Sequence, residues 1–261
     1  MTDQGLRAMA ATRNAKFGHF VVEFATPGIG HIVKAAGCDF ALFDLEHSGF
    51  HFETVKSALR YFEAADLAAI VRVPSSEYHH IARAMDMGAE GLMVPMVGSG
   101  KQARAIVDAV KYHPEGHRGV ALQVAHDHYR PGTVTEKFEA ANKRSTIFCQ
   151  IETAEGVENA EAIAATEGVD CLWVGHFDLS VSLGIPGQFD HKDFRKAIDK
   201  TIKATRKQGK ALGRLVQTVE QGIELYAEGF DFICYSGDAW VLRAALAEAV
   251  TRLRDATAGK A

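Results

Sequence analysis

Long hydrophobic runs, paired cysteines and a strong charge of either sign are all missing from this sequence. No apolar stretch approaches the roughly 20 residues that span a bilayer, and the N-terminal residues lack the apolar core of a secretory signal. The four cysteines (Cys38, Cys149, Cys171 and Cys234) lie far apart without a CxxC spacing, so we expect buried, reduced thiols. The net charge of -4 gives no indication of nucleic acid or an anionic membrane as a partner. Together these absences predict a soluble, cytoplasmic protein.

The sequence also lacks nucleotide-binding motifs and any clear metal-binding motif. The glycine-containing loops at 98–100 and 114–119 match neither a P-loop nor the GxGxxG of dinucleotide-binding folds. The cluster HDH at 126–128 has an i, i+2 spacing in a polar loop, which is a weak signal for a metal site. Nucleotide binding therefore has no support, and the chemistry has to be sought elsewhere in the chain.

Eight short apolar runs, many with β-branched residues, alternate with amphipathic helical patterns along the chain. Continuous apolar runs are typical of a parallel sheet that is covered on both faces. The helical pattern at 52–65, for example, places Val55, Leu59 and Phe62 on one stripe. A βα unit repeated eight times within 261 residues predicts an α/β fold, the (β/α)8 TIM barrel, in one domain. The predicted strands are 19–26, 39–44, 67–73, 91–97, 146–153, 171–176, 211–216 and 230–236.

Two segments go beyond a minimal barrel. Residues 1–16 have the pattern of an extra N-terminal helix, and residues 113–145 form a long insertion after the fourth helix. Long connections inside compact domains are often functional or interfacial. Gly88, at the end of the helical pattern 77–88, is typical of the glycine that follows a helix C-terminus.

Polar side chains stand where the predicted strands end. Asp44 ends the second strand, Arg72 lies near the end of the third, Glu152 ends the fifth, and Asp178 lies just past the sixth. His47 follows Asp44 by three residues. Because a TIM barrel keeps its catalytic residues at the C-terminal ends of its strands, we expect these five side chains to meet at one rim.

Each of these residues also has a purely structural interpretation. Glu152 and Asp178 are carboxylates after neighbouring strands, which suits an open Mg²⁺, Mn²⁺ or Co²⁺ site, but acids also cap helices. Arg72 stabilises an oxyanion in one interpretation and forms only a buried ion pair with Asp44 in the other. His47 is either a proton-transfer group or an ordinary loop histidine.

Several stretches of the chain make it similar to a known family. They are FDLEHS (43–48), VRVP (71–74), MDMGAEGLMVPMV (85–97), YHPEGHRGV (112–120), QIETAEGVENAEAI (150–163) and GVDCLWVGHFDLSVSLGIPGQFDH (168–191). In this order they resemble the HpcH/HpaI family of metal-dependent, pyruvate-utilising class II aldolases. The resemblance implies a TIM barrel with an extra N-terminal helix and a homohexamer, a dimer of trimers. It also implies a C-terminal helix, at 239–257, that is exchanged between subunits.

The resemblance assigns roles to the polar residues at the strand ends. Glu152 and Asp178 match the two metal ligands of the family, and Asp178 also belongs to a turn whose amides bind the pyruvate carboxylate. Arg72 matches the arginine that stabilises an enolate. Asp44 matches an acid of the same motif that supports the catalytic groups.

The resemblance also implies a proton-transfer pair and a substrate pocket. His47 and Asp86 match a histidine–aspartate dyad that positions a water molecule for proton transfer. Gln150 matches a glutamine that lines the pocket, and Gly175 begins the carboxylate-binding turn. From the residues alone, this turn is equally an ordinary βα connection. His176 and Phe177 stand where many relatives have proline and asparagine, so the shape of the pocket and its specificity are expected to differ here.

The implied reaction is the reversible cleavage of a 4-hydroxy-2-oxo acid into pyruvate or hydroxypyruvate and an aldehyde, with a divalent cation as cofactor. A Schiff-base route needs a lysine at a strand end, and none of the predicted strands contains lysine. One alternative is a citrate-lyase-like enzyme acting on a CoA thioester, although no basic cluster stands at the strand ends. A non-catalytic barrel is a second alternative, and Arg72, His47 and Asp86 argue against it.

Overall fold

Eight parallel strands close into one barrel in a computed structural model that describes residues 5–258. Each strand pairs with its neighbours in sequence, and β8 returns to pair with β1. This arrangement confirms the predicted (β/α)8 TIM barrel. The strands are β1 (Lys16–Val21), β2 (Phe40–Asp44), β3 (Ala68–Arg72), β4 (Gly91–Val94), β5 (Thr146–Ile151), β6 (Cys171–Val174), β7 (Ala211–Val216) and β8 (Phe232–Gly237).

Helices surround the barrel and return the chain from the C-terminal end of one strand to the N-terminal end of the next. Among residues 5–258, none of them is long and apolar enough to cross a membrane. They are α1 (Leu6–Ala11), α2 (Ile29–Ala35), α3 (Phe52–Ala64), α4 (Tyr78–Asp86), α5 (Gly100–Val110), α6 (Val134–Arg144), α7 (Ala154–Glu158), α8 (Ala160–Ala165), α9 (His176–Ser182), α10 (Lys192–Lys207), α11 (Val219–Glu228) and α12 (Asp238–Thr257).

The apolar residues divide into two packed layers. The interior of the barrel is filled by large side chains such as Phe40, Phe148 and Phe232, whose rings meet edge to face at centroid distances of 5.3 and 5.4 Å. The larger layer lies between the sheet and the helices and includes the predicted stripe of α3. Strands buried on both faces explain why the sequence shows continuous apolar runs instead of alternation. None of the four cysteines forms a disulfide.

The N-terminal helix is shorter than predicted. The prediction covered 1–16, but α1 ends at Ala11 and Lys16 already begins β1, while residues 1–4 lie outside the described part of the chain. Leu6 and Ala10 of α1 are buried in the barrel interior at the N-terminal end of the strands. The helix therefore closes that end of the barrel and leaves the opposite end open.

The long segment predicted as an insertion contains regular structure. It forms a short 3-10 helix at Ala125–Asp127 and then α6, which begins with a capping box. The Thr133 side chain accepts from the backbone of Glu136, and the Glu136 carboxylate accepts from the Thr133 backbone. Gly88 follows α4 with a φ of 100°, as predicted for a glycine after a helix C-terminus.

The C-terminal helix α12 packs little against its own barrel. Of its residues only Asp238 is buried. Its large apolar side chains are exposed: Trp240, Val241, Leu242, Leu246, Val250 and Leu253. An exposed apolar surface of this extent on one helix is typical of a contact with another polypeptide.

Candidate active site

A cavity of about 610 Å³ opens at the C-terminal ends of the strands. Its polar lining comes from five different strand ends and from α12, as expected for a TIM-barrel active site. The polar residues are His47, Arg72, Gln150, His176, Asp178, Gln217 and Arg243. The apolar lining includes Phe20, Leu42, Trp173, Phe177, Leu215 and Trp240.

Arg72 is held by two carboxylates that follow β2. Its Nε lies 2.7 Å from Asp44 Oδ1, and a terminal nitrogen lies 3.2 Å from Glu46 Oε2. Burial alone would lower the pKa of Arg72, but the hydrogen bond to Asp44 and the neighbouring carboxylates raise it above its ordinary value. Asp44 also accepts from the backbone N–H groups of Glu46 and His47, both at 3.0 Å. The predicted Asp44–Arg72 ion pair therefore exists, and it fixes both the guanidinium and the following loop.

Glu46 is a site residue that the sequence reasoning missed. Burial raises the pKa of its carboxyl to about 7; Arg72 opposes this shift, and the charges of Asp44 and Asp178 add to it. Despite the ion pair with Arg72, its Oε2 accepts no hydrogen bond among the described residues. The signal was present in the sequence, since Glu46 lies between Asp44 and His47 in the same motif.

Glu152 is buried below the cavity floor. It follows β5 and is 2 % exposed. One carboxylate oxygen accepts from Met96 N at 2.6 Å, and the other accepts from the Gln150 side-chain amide. Burial raises the pKa of Glu152; the hydrogen bonds from Met96 and Gln150 oppose this shift, and the charges of Glu46 and Asp178 add smaller contributions to it. Its surroundings thus combine fixed backbone and amide donors with an excess of negative charge.

Met96 was not predicted, and it supplies the backbone donor to Glu152. Its φ of 57° is in the left-handed region, which is uncommon for a residue with a side chain. Such strain persists only where the surroundings impose it, often at functional sites. The backbone after β4 is therefore bent in a way that directs one N–H at the Glu152 carboxylate.

The turn after β6 packs directly on Glu152. A Cβ at Gly175 would lie 2.8 Å from Glu152 Cβ and 2.9 Å from Gln150 Nε2, so only glycine fits at this point. The turn continues into α9, a helix that the sequence reasoning did not predict. Asp178 lies in its first turn, exposed and facing the cavity.

Neither acid caps a helix through its side chain. The N-cap of α7 is Thr153, whose Oγ1 accepts from Gly156 N at 3.0 Å, so Glu152 is not needed there. The N-cap of α9 is Gly175, which offers no side-chain acceptor. The helix-capping interpretation of Glu152 and Asp178 is therefore wrong.

His176 and Phe177 form an aromatic wall beside the turn. Their ring centroids lie 4.5 Å apart, and Phe189 meets both rings edge to face at 5.2 Å. Burial lowers the pKa of His176 to about 3, with the charge of Arg214 contributing, so this imidazole is neutral. Phe177 is 55 % exposed and projects its apolar ring at the cavity mouth.

His47 and Asp86 do not meet within one chain. The His47 side chain is exposed at the cavity, with its Nε2 3.7 Å from Glu46 Oε2. Asp86 is the last residue of α4, a helix that runs back toward the N-terminal end of the barrel, and it pairs with Arg118 at 2.9 Å. The two side chains therefore form no dyad with each other within the described chain.

Comparisons with known proteins match this geometry to one family. The family model described as HpcH/HpaI aldolase/citrate lyase matches residues 16–245. The chain belongs to this family. It is 35 % identical over 240 residues to the 5-keto-4-deoxy-D-glucarate aldolase of Shigella boydii, covering 92 % of each chain. It is 37 % identical over 232 residues to the hydroxypyruvate/pyruvate aldolase of Chromohalobacter salexigens, covering 88 % of this chain and 91 % of that one.

A solved structure agrees with these matches. The HpcH/HpaI aldolase from Desulfitobacterium hafniense superposes with a TM-score of 0.89 at 29 % identity, covering 96 % of this chain and 97 % of that one. The predicted aldolase activity, a carbon–carbon lyase reaction, is confirmed by these relatives. They favour it over the alternative of a lyase acting on a CoA thioester.

The donor set of this aldolase fits a divalent cation. Among residues 5–258, no three His, Cys, Asp or Glu side chains lie close enough to form a closed metal site. Two carboxylates, Glu152 and Asp178, with open positions for water and substrate, suit a hard cation that keeps part of its hydration. The raised pKa values of Glu46 and Glu152 and the unpartnered Gln150 Oε1 indicate negative charge and lone pairs that a cation would satisfy.

A lysine does occur in a strand of this aldolase, contrary to the prediction. Lys16 begins β1, and burial lowers its pKa to about 8, with the charges of Asp231 and Arg13 as smaller, opposed contributions. Its position is nevertheless at the N-terminal end of the barrel, where its Nζ donates to Thr12 O at 2.7 Å. Lys16 cannot reach the cavity. A Schiff base is therefore disfavoured because the strand lysine lies at the wrong end of the barrel, and not because the strands lack lysine.

Proposed function

We propose that this aldolase cleaves a 4-hydroxy-2-oxo acid into pyruvate or hydroxypyruvate and an aldehyde, and catalyses the reverse condensation. The observation that carries the proposal is a cluster of carboxylates around Arg72: Asp178 lines the same cavity, Glu46 lies 3.2 Å from the guanidinium, and Glu152 is close enough to raise the pKa of Arg72. Such a site binds a cation and a charged substrate together. The names of the aldolase relatives support the same reaction class.

Glu152 and Asp178 are the residues that would hold the cation, for which Mg²⁺, Mn²⁺ and Co²⁺ are the candidates. When bound, such an ion acts as a Lewis acid that polarises the keto group and acidifies the adjacent C–H bond. Gln150 orients the Glu152 carboxylate from one side and Met96 N–H from the other. Because both donors are fixed before substrate arrives, Glu152 needs no rearrangement on binding.

Arg72 stabilises the negative charge that develops on the keto oxygen. Asp44 and Glu46 hold its Nε and one terminal nitrogen, and the guanidinium also lies over the Phe20 ring at 5.1 Å. The guanidinium is therefore oriented before the reaction, with the remaining donors available to the substrate. Preorganised donors of this kind contribute about 3–4 kcal/mol each to the stabilisation of a transition state.

Proton transfer to the aldehyde oxygen is assigned to a water held between His47 and Asp86 of two different subunits. His47 is exposed at the cavity, whereas Asp86 lies at the other end of its own barrel. The exposed apolar surface of α12 supports a homohexamer in which such contacts form and this helix is exchanged. We also propose a cytoplasmic location, which the four free cysteines support.

Chelation tests the metal requirement directly. Treatment with EDTA should abolish pyruvate release from 4-hydroxy-2-oxo acids, and Mn²⁺, Mg²⁺ or Co²⁺ should restore it. Electron paramagnetic resonance of added Mn²⁺ should show binding to the wild type that is lost in Glu152→Gln and Asp178→Asn. Pyruvate release that continues unchanged after chelation would contradict the proposal. A panel of 4-hydroxy-2-oxo acids, assayed the same way, would identify the aldehyde.

Mixing two inactive variants tests the dyad between subunits. His47→Ala removes an exposed side chain, and Asp86→Asn keeps a partner for the buried Arg118. Each variant alone should be inactive, whereas co-assembled subunits should regain about a quarter of wild-type activity, because random mixing completes that share of the shared sites in a symmetric oligomer. No recovery in mixed oligomers of confirmed composition would show that the two residues do not share a site.

A further inference from the structure

Arg118 belongs to the motif YHPEGHRGV (112–120), which the proposed chemistry does not use. Its guanidinium lies 2.9 Å from Asp86 Oδ1, and its side chain is only 1 % exposed. Among the described residues, Asp86 is the only carboxylate within ion-pairing distance of this arginine. Because the proposed proton transfer uses Asp86, a buried positive charge stands directly behind a group that the reaction needs.

The position of Arg118 is fixed from several sides. Its backbone N–H donates to Lys111 O at 2.9 Å, so the segment after α5 folds back on the end of that helix. The guanidinium lies over the Tyr112 ring at 4.2 Å and donates to Val110 O at 3.3 Å. A cation that is stacked on an aromatic ring and bonded to a buried carbonyl has little freedom to turn away. Asp86 therefore meets a guanidinium whose place is set by the fold.

The predicted insertion at 113–145 supplies the support for Tyr112. Asn142 of α6 accepts from Tyr112 N at 2.7 Å and donates to Tyr112 O at 2.8 Å. The ring of Phe138, also on α6, stacks on the Tyr112 ring with centroids 4.4 Å apart and an interplanar angle of 8°. Thus α6 holds Tyr112, on which Arg118 is stacked. These contacts connect the insertion to Asp86, although none of the residues 113–145 lines the cavity.

Only one oxygen of Asp86 is used in the contact with Arg118. Oδ1 accepts from the guanidinium, whereas Oδ2 accepts no hydrogen bond from any residue in 5–258, and the Asp86 side chain is 32 % exposed. A similar arrangement occurs at the cavity, where the buried Asp44 holds the Nε of Arg72. In each pair a buried partner fixes one side of the functional group and leaves another side accessible.

We propose that Arg118 is a positioning residue for proton transfer, which fixes the Asp86 carboxylate so that its second oxygen is available to the water shared with His47 of another subunit. This inference rests on the proposed function of Asp86. Arg118 is not part of the cavity lining and does not contact the substrate. Its loss should therefore lower kcat and leave KM nearly unchanged, because a misplacement of about 1 Å can cost about a hundredfold in rate.

The kinetics of two variants test this expectation. Arg118→Met removes the guanidinium and keeps an apolar side chain beside Tyr112, so kcat for pyruvate release should fall about a hundredfold while KM changes by less than about twofold. Arg118→Lys keeps the charge without the planar fork and should lose less. Arg104→Met is the matched control, because Arg104 pairs with Asp108 at 2.8 Å and donates to Glu115 O at 2.7 Å in the same segment. It should keep the wild-type kcat.

Mixed oligomers test which half of the shared site Arg118 supports. An Arg118→Met subunit still supplies an intact His47, so its co-assembly with His47→Ala subunits should restore about a quarter of wild-type activity. Co-assembly with Asp86→Asn should restore nothing, because both changes damage the same half of the site. The opposite pattern would show that Arg118 supports the cavity of its own subunit and would overturn the inference.

The remaining outcomes separate this inference from the proposed function. Unchanged kcat in Arg118→Met would overturn the inference and leave proton transfer by Asp86 intact. A change in oligomer size by light scattering in both Arg118 variants, with no recovery in any mixture, would show that the arginine is structural and would overturn the inference as well. Full activity of Asp86→Asn would overturn the proposed proton transfer and this inference with it.

Discussion

The acidic residues at the two ends of the barrel differ in how far neighbouring groups satisfy their carboxylates. At the N-terminal end, Asp231 precedes β8 and is fully satisfied, because Arg13 and Arg206 donate to it and Leu212 N donates at 3.0 Å. At the C-terminal end, Glu46 Oε2 accepts no hydrogen bond among the described residues, and the pKa values of Glu46 and Glu152 are raised. At the N-terminal end, Asp231 connects separate segments of the chain through its hydrogen bonds. At the C-terminal end, where TIM barrels bind their ligands, Glu46 still has an oxygen that a ligand could contact.

Asp44 shows that position alone does not decide between these roles. It lies at the C-terminal end, yet it accepts from Arg72 and from two backbone N–H groups. It resembles Asp231 in its bonding and Glu46 in its location. The hydrogen-bond partners of an acid, more than its end of the barrel, therefore indicate its role. Substituting a fully bonded acid should lower the free energy of unfolding, whereas substituting an acid of the site should lower activity.

Substitution of Glu152 should give the largest effect on activity. Glu152→Gln should lower kcat by about a thousandfold or more, because a Lewis-acid cation contributes several kcal/mol to the transition state. The free energy of unfolding should stay the same or rise, because the change removes a charge that repels Glu46 and Asp178. Pyruvate release and urea denaturation measure the two quantities.

Glu155→Gln is the matched control for this substitution. Glu155 lies three residues further along the chain, in α7, and is exposed outside the cavity lining. Its replacement should leave both quantities unchanged. A Glu152→Gln variant that is markedly destabilised would show that this acid holds the fold together and would remove the contrast with Asp231.

Substitution of Asp231 should give the opposite result. Asp231→Ala removes the buried acceptor of the half-buried Arg206 and of the Leu212 N–H, and leaving such donors unpaired costs about 1–3 kcal/mol of unfolding free energy. The folded fraction should keep its kcat, because Asp231 lies at the end of the barrel away from the cavity. Asp190→Ala breaks an exposed pair with Arg195 and should cost less than about 1 kcal/mol. Equal losses in the two variants would contradict the assignment.

The fold was predictable because the strands are buried on both faces. Seven of the eight strands lie within a few residues of their predicted ranges, since continuous apolar runs mark them; β1 begins earlier, at Lys16, whose charge does not suit an apolar pattern. The capping box of α6, Thr133 with Glu136, was a readable helix start inside the predicted insertion. It was overlooked because α6 has a polar composition with only two buried residues.

The sequence predicted most of the individual site residues, but it did not predict the contacts between some of them. Arg72 with Asp44 and the acids after β5 and β6 meet as expected, because the barrel brings strand ends together. The donor from Met96 could not be predicted, since it depends on a left-handed backbone conformation of a residue that does not usually adopt it. The separation of His47 from Asp86 was also not predictable, because matching residues to a family motif does not show the distance between them in one chain.

Substitution of Gly175 should give a smaller effect, which tests whether the turn after β6 positions the Glu152 carboxylate. Gly175→Ala places a methyl group within 3 Å of Glu152 Cβ and Gln150 Nε2, so the turn or the carboxylate has to move. A misplacement of about 1 Å can cost about a hundredfold in rate. We expect a fall of that order in kcat with weaker Mn²⁺ binding, measured by titration. Gly184→Ala, after α9 and with open space around its Cβ, should lose some stability through its positive φ and should keep its Mn²⁺ affinity.

Glu46 should give the smallest effect, which is visible only in its pH dependence. Its folded-state pKa of about 7 lies above the ordinary value of 4.5, so between these values the folded protein binds more protons than the unfolded chain. Its contribution to stability is therefore present at low pH and is lost as pH rises through 7. Urea denaturation of the chelator-treated protein should show that Glu46→Gln gains stability relative to the wild type between about pH 5 and pH 8, whereas Glu155→Gln does not. A difference that is independent of pH would mean that Arg72 keeps Glu46 ionised throughout, and that this end of the barrel satisfies its acids as the other end does.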